Sequence, residues 1–409
     1  MSEVPQPLLV ATEWGAAAVV PLGSLLAVVA LSGFFYRRAL RRASAPPLAL
    51  VLALAACGLA AACFSPVLFS SDAYAYAAYG EMARIGLNPY ALAPMATHDA
   101  IVRAAQLQWV TAFPICVYGP AFVAFARLIV TLFAPLGPLA QLDAFRFASS
   151  AALLLCIPLA FHAFPGDRAQ RLRAAATIAL NPAAIWCAAE GHNDAIALAV
   201  LLTGFAFVAR GRIATGAAIA ALSALIKPPG VAAALALGFV DRRARAGALL
   251  GIAVAGALAI PLLRGVATGL ARHGVYAPQA SLQAVVAPVS PVLAWILALA
   301  IAAALAVRGA ALVRNATMEG WIYLALAGWV LVPNPYPWYG VWLIAVAALD
   351  PRSRAGNTAI LLSLTAMLRY IPDAIAVPPP PLASLLGLLA ALPLLQLLPF
   401  AGRYNVRPS

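Results

Sequence analysis

Acidic side chains are scarce in this sequence, with 13 Asp and Glu among 409 residues, so those able to take up a proton can be weighed one by one. The stretch FSSDAYAYAAYGEMARIGLNPY, residues 69–90, follows a hydrophobic run long enough to cross a bilayer and holds Asp72, four tyrosines and Glu81. A carboxylate at the water–lipid boundary is costly to keep charged, which makes Asp72 a candidate functional residue. The structural alternative is a helix cap, supplied by Ser70, Ser71 or Asp72. A second stretch, LNPAAIWCAAEGHNDAIALAV, ends a Pro-containing span in Glu190, Gly191, His192, Asn193 and Asp194 and turns straight into the next span. Asn193 or Asp194 would cap that next helix. Placed beside Asp72, His192, Asn193 and Asp194 would instead form one acidic, polar rim.

Anion binding is the second chemistry on offer. Lys227, the only lysine, stands in ALIKPPG at the end of another broken span; it would either snorkel to the interface or contact a phosphate. Arg272 with His273 in LARHGVYAPQ, and Arg369 in LRYIPD, are the better placed of the remaining cations for an anion. In VPNPYPWYGVW, residues 332–342, three prolines within five positions break a span, and Tyr336, Trp338 and Tyr339 line the break. An aromatic belt at the membrane interface accounts for the rings but not for the break. A broken helix lined by aromatics fits a cavity for a lipid chain or a sugar ring.

The elements that must position these residues are helices in a membrane. The chain is 64% hydrophobic and 10% charged, with mean hydropathy +0.94; this excludes an ordinary soluble domain. Runs of the required length, about 20 residues, fill it almost end to end. The expectation is an all-α, polytopic membrane protein of roughly 13 spans near 14–36, 46–69, 143–164, 172–189, 193–209, 213–227, 229–240, 246–264, 291–313, 320–333, 338–349, 357–372 and 380–400. Residues 117–136, with Pro120 and Arg127 inside, are expected as an interfacial helix, since a crossing there would invert every later loop. Arginine clusters between the runs mark cytoplasmic loops by the positive-inside bias. The first run has its arginines after it rather than before, so it reads as a retained span with its N-terminus outside. Loops 70–114, 190–194, 265–290, 334–337 and 372–379 then fall on the outer face, where the polar and aromatic sequence collects. The net charge of +13 is dispersed in short clusters between the runs, which argues against nucleic acid as a partner. The five cysteines lie mostly in apolar runs without paired or metal-binding spacing.

An acid just after an early span, followed by Y-x-x-Y-G-x-x-x-x-x-G-x-N-P-Y, resembles the GT-C glycosyltransferases that use polyprenyl-phosphate sugars. It is most similar to the actinobacterial polyprenyl-phosphate-mannose mannosyltransferases. The N-P…G-H-N-D hairpin, the Lys-x-Pro element and the P-W-Y break follow in the same order, so the resemblance covers about residues 46–350. It implies a single transmembrane domain: an extra N-terminal span (14–45), a GT-C-like core (46–350) with outer loop 70–142, and C-terminal spans (351–409). It implies an inverting hexosyl transfer, mannosyl by the resemblance, from a polyprenyl-phosphate donor to an acceptor hydroxyl of a glycolipid or glycan. The reaction would occur on the periplasmic or exterior face of the inner (plasma) membrane. Asp72 carries over as the base. His192, Asn193 and Asp194 occupy the second outer loop, where the family places acceptor-binding or metal-binding groups, and Lys227, Arg369 or Arg272 with His273 carry over as phosphate contacts. Tyr76, Tyr79, Asn88 and Tyr90 would shape the outer loop around the substrate; Tyr336, Trp338 and Tyr339 would line the donor pocket. No cofactor is expected, and no metal, because monophosphate donors generally dispense with one. A secondary transporter or lipid flippase would also have broken helices, but with mid-span charges and repeated halves; here the acids stand at span ends.

Overall fold

The computed structural model describes residues 16–42, 44–65, 69–93, 100–106, 114–263, 267, 277–375 and 379–398. Among the described residues the regular structure is entirely helical, as the composition predicts. The chain divides into two compact units, one drawn mainly from residues 46–180 and 184–276 and the other from 19–45, 181–183 and 277–409.

The first unit holds α2 (Leu48–Cys63), α3 (Asp72–Arg84), α4 (Ala100–Gln106), α5 (Pro120–Phe133), α6 (Pro138–Ala163), α7 (Arg168–Ala179), most of α8 (Pro182–Ala189), α9 (Asp194–Ala209), α10 (Ile213–Leu222), α11 (Pro229–Val240) and α12 (Arg242–Leu258). Without a hydrophobic driving force between helices in lipid, close backbone approach supplies the packing energy, and small residues permit it. Gly204 of α9 meets Gly216 of α10, and a Cβ on Gly204 would lie 2.6 Å from the Gly216 carbonyl oxygen. Gly247 and Gly251 of α12 lie against the Ala214 and Ala218 carbonyls of α10. Ala217, Ala221, Ala234, Ala244 and Ala248 fill the seam. The second unit contains α1 (Ala16–Leu40) and helices at Leu282–Val286, Pro291–Arg314, Glu319–Val330, Gly340–Ala347, Arg354–Thr365, Tyr370–Ile375 and Pro380–Ala391. Here α1 is docked by Arg37 and Arg41, which both donate to the Asn357 side chain. Pro291–Arg314 presents Val292, Leu293, Ile296, Leu299 and Val307 outward, a side-chain set that only lipid or another apolar surface would cover.

Many of the helices are shorter than a full membrane span. By length and composition, four among the described residues could cross a bilayer: Val20–Leu40, Pro138–Ala163, Pro291–Arg314 and Pro380–Leu397. A fifth arises if α7 and α8, bent by 50°, count as one. Most other apolar segments form helices of 10–17 residues, which rise about 15–25 Å at 1.5 Å per residue, short of a hydrocarbon core of about 30 Å. Proline is one reason. The run at 172–189 breaks where Pro182 restarts a helix after Asn181, and that at 213–227 tightens into a 3₁₀ turn at Ser223–Leu225 ahead of Pro228 and Pro229. Residues 120–136 form α5 and a terminal 3₁₀ turn. Phe122, Ala126, Ile129 and Val130 of α5 are buried, while Leu128 and Leu132 are exposed.

Candidate active site

The two stretches that carry acids after apolar runs meet in the first unit. The second reaches its position through a helix ending dictated by its sequence. At the C-terminus of α8 the His192 amide donates to the Cys187 carbonyl and the Gly191 amide to the Ala188 carbonyl, the paired bonds of a Schellman motif. Gly191 sits at φ +89°, a conformation that favours glycine. Glu190 and His192 flank that reversal, and Asn193 and Asp194 open α9 immediately after it. The Ser149 hydroxyl of α6 donates to the His192 carbonyl and fixes the turn.

Around this turn Asp72, Glu190, His192, Asp194 and Lys227 form one ionic cluster. Asp72 Oδ2 lies 3.3 Å from His192 Nδ1, and Glu190 Oε2 lies 3.7 Å from His192 Nε2. Lys227 pairs with Asp194. The Tyr76 hydroxyl lies 3.3 Å from Asp72 Oδ2 and 3.4 Å from Asn193 Oδ1. Glu190 Oε1 accepts from the backbone N–H groups of Phe69 and Ser70. The question of caps is thereby resolved at the first site. Ser70 Oγ accepts the Asp72 amide, whereas the Asp72 carboxylate turns to Tyr76 and His192. At the second site Asn193 is the N-cap residue, with no side-chain cap bond, and the Asp194 carboxylate is engaged by Lys227.

Exposure sorts the members. The side chains of Glu190, His192 and Asp194 are each 1% exposed, Lys227 12% and Asp72 16%. Asp72 is therefore the carboxylate of the cluster with the most open side. Burial pushes its carboxyl upward, but the hydrogen bond and charge of His192, with Lys227 and Tyr76 behind them, outweigh that and hold it below the usual carboxylate range. Burial works against charging His192, yet the carboxylates of Asp72 and Glu190 beside its two ring nitrogens win and raise it to about 9. At neutral pH the pair is thus carboxylate and imidazolium, and Asp72 is able to accept a proton.

Two groups that carry the site do not stand out in the sequence. Arg146 of α6 pairs with Asp143 of the same helix at 3.3 Å, and donates through Nε to the Ala189 carbonyl at 2.7 Å and through Nη2 to those of Ala62 and Ser65 at 3.3 and 3.1 Å. It ties the end of α2 to the end of α8, from which Asp72 and His192 follow. An ionisable residue within an apolar helix is the signal that would have found it. Tyr118 packs edge-on against Tyr76 with ring centroids 4.9 Å apart. The remaining sequence candidates fall elsewhere. Tyr76 and Tyr79 are buried, so neither offers an open ring face to a sugar; Tyr79 donates to the Pro114 carbonyl at 2.8 Å. Asn88 Oδ1 accepts the Tyr90 amide, and the Tyr90 hydroxyl donates to the Tyr118 carbonyl; both organise the loop. Arg272 and His273 lie outside the described residues. In the second unit Tyr336 stacks on Trp338 at 4.6 Å and 11°, with Tyr339 edge-on to both. The Arg369 guanidinium carbon lies 4.6 Å from the centre of the Tyr336 ring.

Comparison with known proteins gives the chain a family. The family model described as "Alpha-(1->6)-mannopyranosyltransferase, N-terminal domain" matches residues 5–243, more than half of the chain, and the chain belongs to this family. Alpha-(1->6)-mannopyranosyltransferase A of Mycobacterium tuberculosis is 36% identical over 75 residues, 18% of this chain and 14% of that protein. A second alpha-(1->6)-mannopyranosyltransferase of the same organism is 31% identical over 157 residues, 36% of this chain and 25% of its own length. The matched stretches thus span a quarter or less of these relatives. No solved structure matches the chain with significance.

Proposed function

We propose that the protein is a membrane mannosyltransferase that moves a mannosyl group from a polyprenyl-phosphate donor to an acceptor hydroxyl on a glycolipid or glycan, with inversion and on the outer face of the membrane. The observation that carries the proposal is Asp72, the most open carboxylate of a buried charge cluster inside the stretch that matches the mannosyltransferase family. In the step proposed, the acceptor oxygen bonds to the anomeric carbon from the face opposite the phosphate. The C–O bond to phosphate breaks with its electron pair leaving on that oxygen, and the acceptor proton passes to Asp72. A carboxylate held as the anion suits a proton that departs late, and a phosphate monoester leaves without needing protonation. Lys227, Arg369, Arg272 and His273 are the proposed contacts for its charge, and Tyr336, Trp338 and Tyr339 for the donor's ring and chain. The reaction as written uses no metal or cofactor.

The relatives are named as alpha-(1->6)-mannopyranosyltransferases, enzymes with an α-linked product. Combined with inversion, an α-product requires a β-linked donor, which makes the stereochemistry testable. The purified protein is incubated with β- or α-configured polyprenyl-phosphate mannose and an alkyl α-mannoside, and products are followed by mass spectrometry and NMR. The expected result is a disaccharide from the β donor alone, absent with Asp72→Asn. Transfer by that variant at near the parental rate would remove Asp72 as the base, and use of the α donor would remove inversion.

A further inference from the structure

The family resemblance places the second-loop histidine at the acceptor. Its burial puts it behind Asp72 instead. We propose that His192 and Glu190 are positioning residues for the reaction assigned to Asp72: the imidazole presents Nδ1 to Asp72 Oδ2 and fixes that carboxylate's rotamer and charge, while Glu190 fixes the imidazole. This inference rests on the role proposed for Asp72.

Three observations carry it. The imidazole lies between two carboxylates, 3.3 Å from Asp72 through Nδ1 and 3.7 Å from Glu190 through Nε2, with 1% of its side chain exposed. No surface remains through which it would contact an acceptor sugar. Glu190 divides its two oxygens. Oε2 faces the ring, while Oε1 accepts from the amides of Phe69 and Ser70, three and two residues before Asp72. One side chain therefore fixes both the backbone that delivers Asp72 and the ring that orients it. The ring's own backbone is held by the Schellman turn and by Ser149, so the chain of contacts ends on rigid helix ends.

The electrostatics point the same way. Burial by itself pushes the Asp72 carboxyl upward, and the neighbouring His192 is the leading influence that reverses this. The titratable and charged groups that also face the pair are Tyr76 of α3, Tyr118 ahead of α5, Arg146 of α6, Cys187 of α8, Asp194 of α9 and Lys227. Lys227 is neutralised locally by Asp194, which leaves His192 as the principal counter-charge to Asp72.

The test is the pH profile of kcat/KM for transfer from β-configured polyprenyl-phosphate mannose to an alkyl α-mannoside. The unaltered protein should hold its rate through neutral pH and lose it as His192 gives up its proton near pH 9. In His192→Gln the acid limb should move to higher pH and the alkaline limb should vanish. Its kcat should fall about 10- to 100-fold, the scale of a misplaced reacting group, with KM nearly unchanged. Glu190→Gln keeps an acceptor for the Phe69 and Ser70 amides but removes the second carboxylate, so its alkaline limb should move below that of the parent. A merely structural His192 would lower activity without shifting either limb, and unchanged limbs in both variants would overturn the proposal. Because His192→Gln is comparable with the parent only when it folds, thermal unfolding against pH supplies a second readout. With the folded-state value raised above the unfolded value of about 6.5, the stabilisation is full below about pH 6.5 and lost through pH 9. A flat parental profile across that window would also overturn it. The role of Asp72 fails separately, by an active Asp72→Asn.

Discussion

The two constellations of this molecule hold charge in opposite ways. In the first unit, side chains from residues 72, 190, 192, 194 and 227 neutralise one another as ions, three carboxylates against an imidazole and an ammonium. In the second, a guanidinium is held by an aromatic face, Arg369 over Tyr336, which is itself stacked on Trp338. A buried ion cluster fixes protonation states and suits proton transfer. A cation resting on rings, with those rings partly exposed, suits recognition of an anion beside an apolar or sugar surface. The first constellation lies within the family-matched stretch 5–243 and the second beyond it. The contrast predicts that damage to the first will appear in the rate of chemistry and in folding, and damage to the second in substrate affinity.

The largest effect is expected at Asp72. Asp72→Asn keeps the size of the side chain and its contact with Tyr76 but cannot accept the proton. Loss of a general base costs about 10²–10⁴-fold, so kcat should fall by that range with folding intact by circular dichroism and size-exclusion chromatography. Next is the Asp194–Lys227 pair. Removing one partner of a buried pair costs about 3–5 kcal/mol, because the other is left uncompensated. Asp194→Asn and Lys227→Met should each lower the unfolding temperature sharply, and the double variant should recover much of the loss. If Lys227 also meets the donor phosphate, the recovered double variant will still show a raised KM for donor. Additive losses in the two single variants would show that the pair is not coupled.

In the second unit the expected changes are smaller and of a different kind. Trp338→Ala removes the stacking partner of Tyr336, an interaction of about 0.5–1.5 kcal/mol beyond the area it covers. Donor KM should rise about tenfold with kcat nearly unchanged, since 1.4 kcal/mol is a factor of about ten in affinity. Arg369→Lys keeps the charge but loses the planar group that lies over the ring and should give a weaker version of the same result. A fall in kcat with constant KM in either variant would erase the distinction between the two constellations.

The cluster is more legible in the sequence than the spans are. Asp72, His192, Asn193 and Asp194 stand out because polar residues are rare in this composition, but that the two stretches lie side by side is only a condition for a shared rim, and it is the fold that brings them together. Lys227 stands out as the sole lysine, but its partner does not, since nothing local pairs residues 194 and 227. Glu190 is visible as an acid without a task; its task is set by the amides of residues 69 and 70, which only the fold brings near. Arg146 reads in the sequence as the local partner of Asp143, 3.3 Å away on the same helix; its contacts to the carbonyls of Ala62, Ser65 and Ala189, which tie the site together, leave no trace in side-chain chemistry. Tyr76 and Tyr79, expected to shape the outer loop, are buried by the packing of α3 against α5 and α6, a depth that the sequence around them does not reveal. Hydropathy yields more apolar runs than there are described helices long enough to cross, because it does not see where Pro or a glycine turn ends the helix.

Glu81 provides the smallest expected effect and the sharpest control. It belongs to the same aromatic helix as Asp72, nine residues on, and is as deeply buried as the cluster acids. Its partner, however, is Arg84 on the next turn of the same helix, at 2.6 and 2.7 Å through two bonds. An i,i+3 pair of this kind closes within one element. Because the Arg84 side chain is 39% exposed, water screens the interaction and its contribution is about 1 kcal/mol or less. Glu81→Gln should therefore lower the unfolding temperature by a few degrees at most, with kcat and its pH limbs within about twofold of the parent. If transfer fell with Glu81→Gln as it does with Asp72→Asn, burial and aromatic surroundings would be sufficient to make an acid essential, and the ionic contacts between helices would lose their standing as the feature that marks the site.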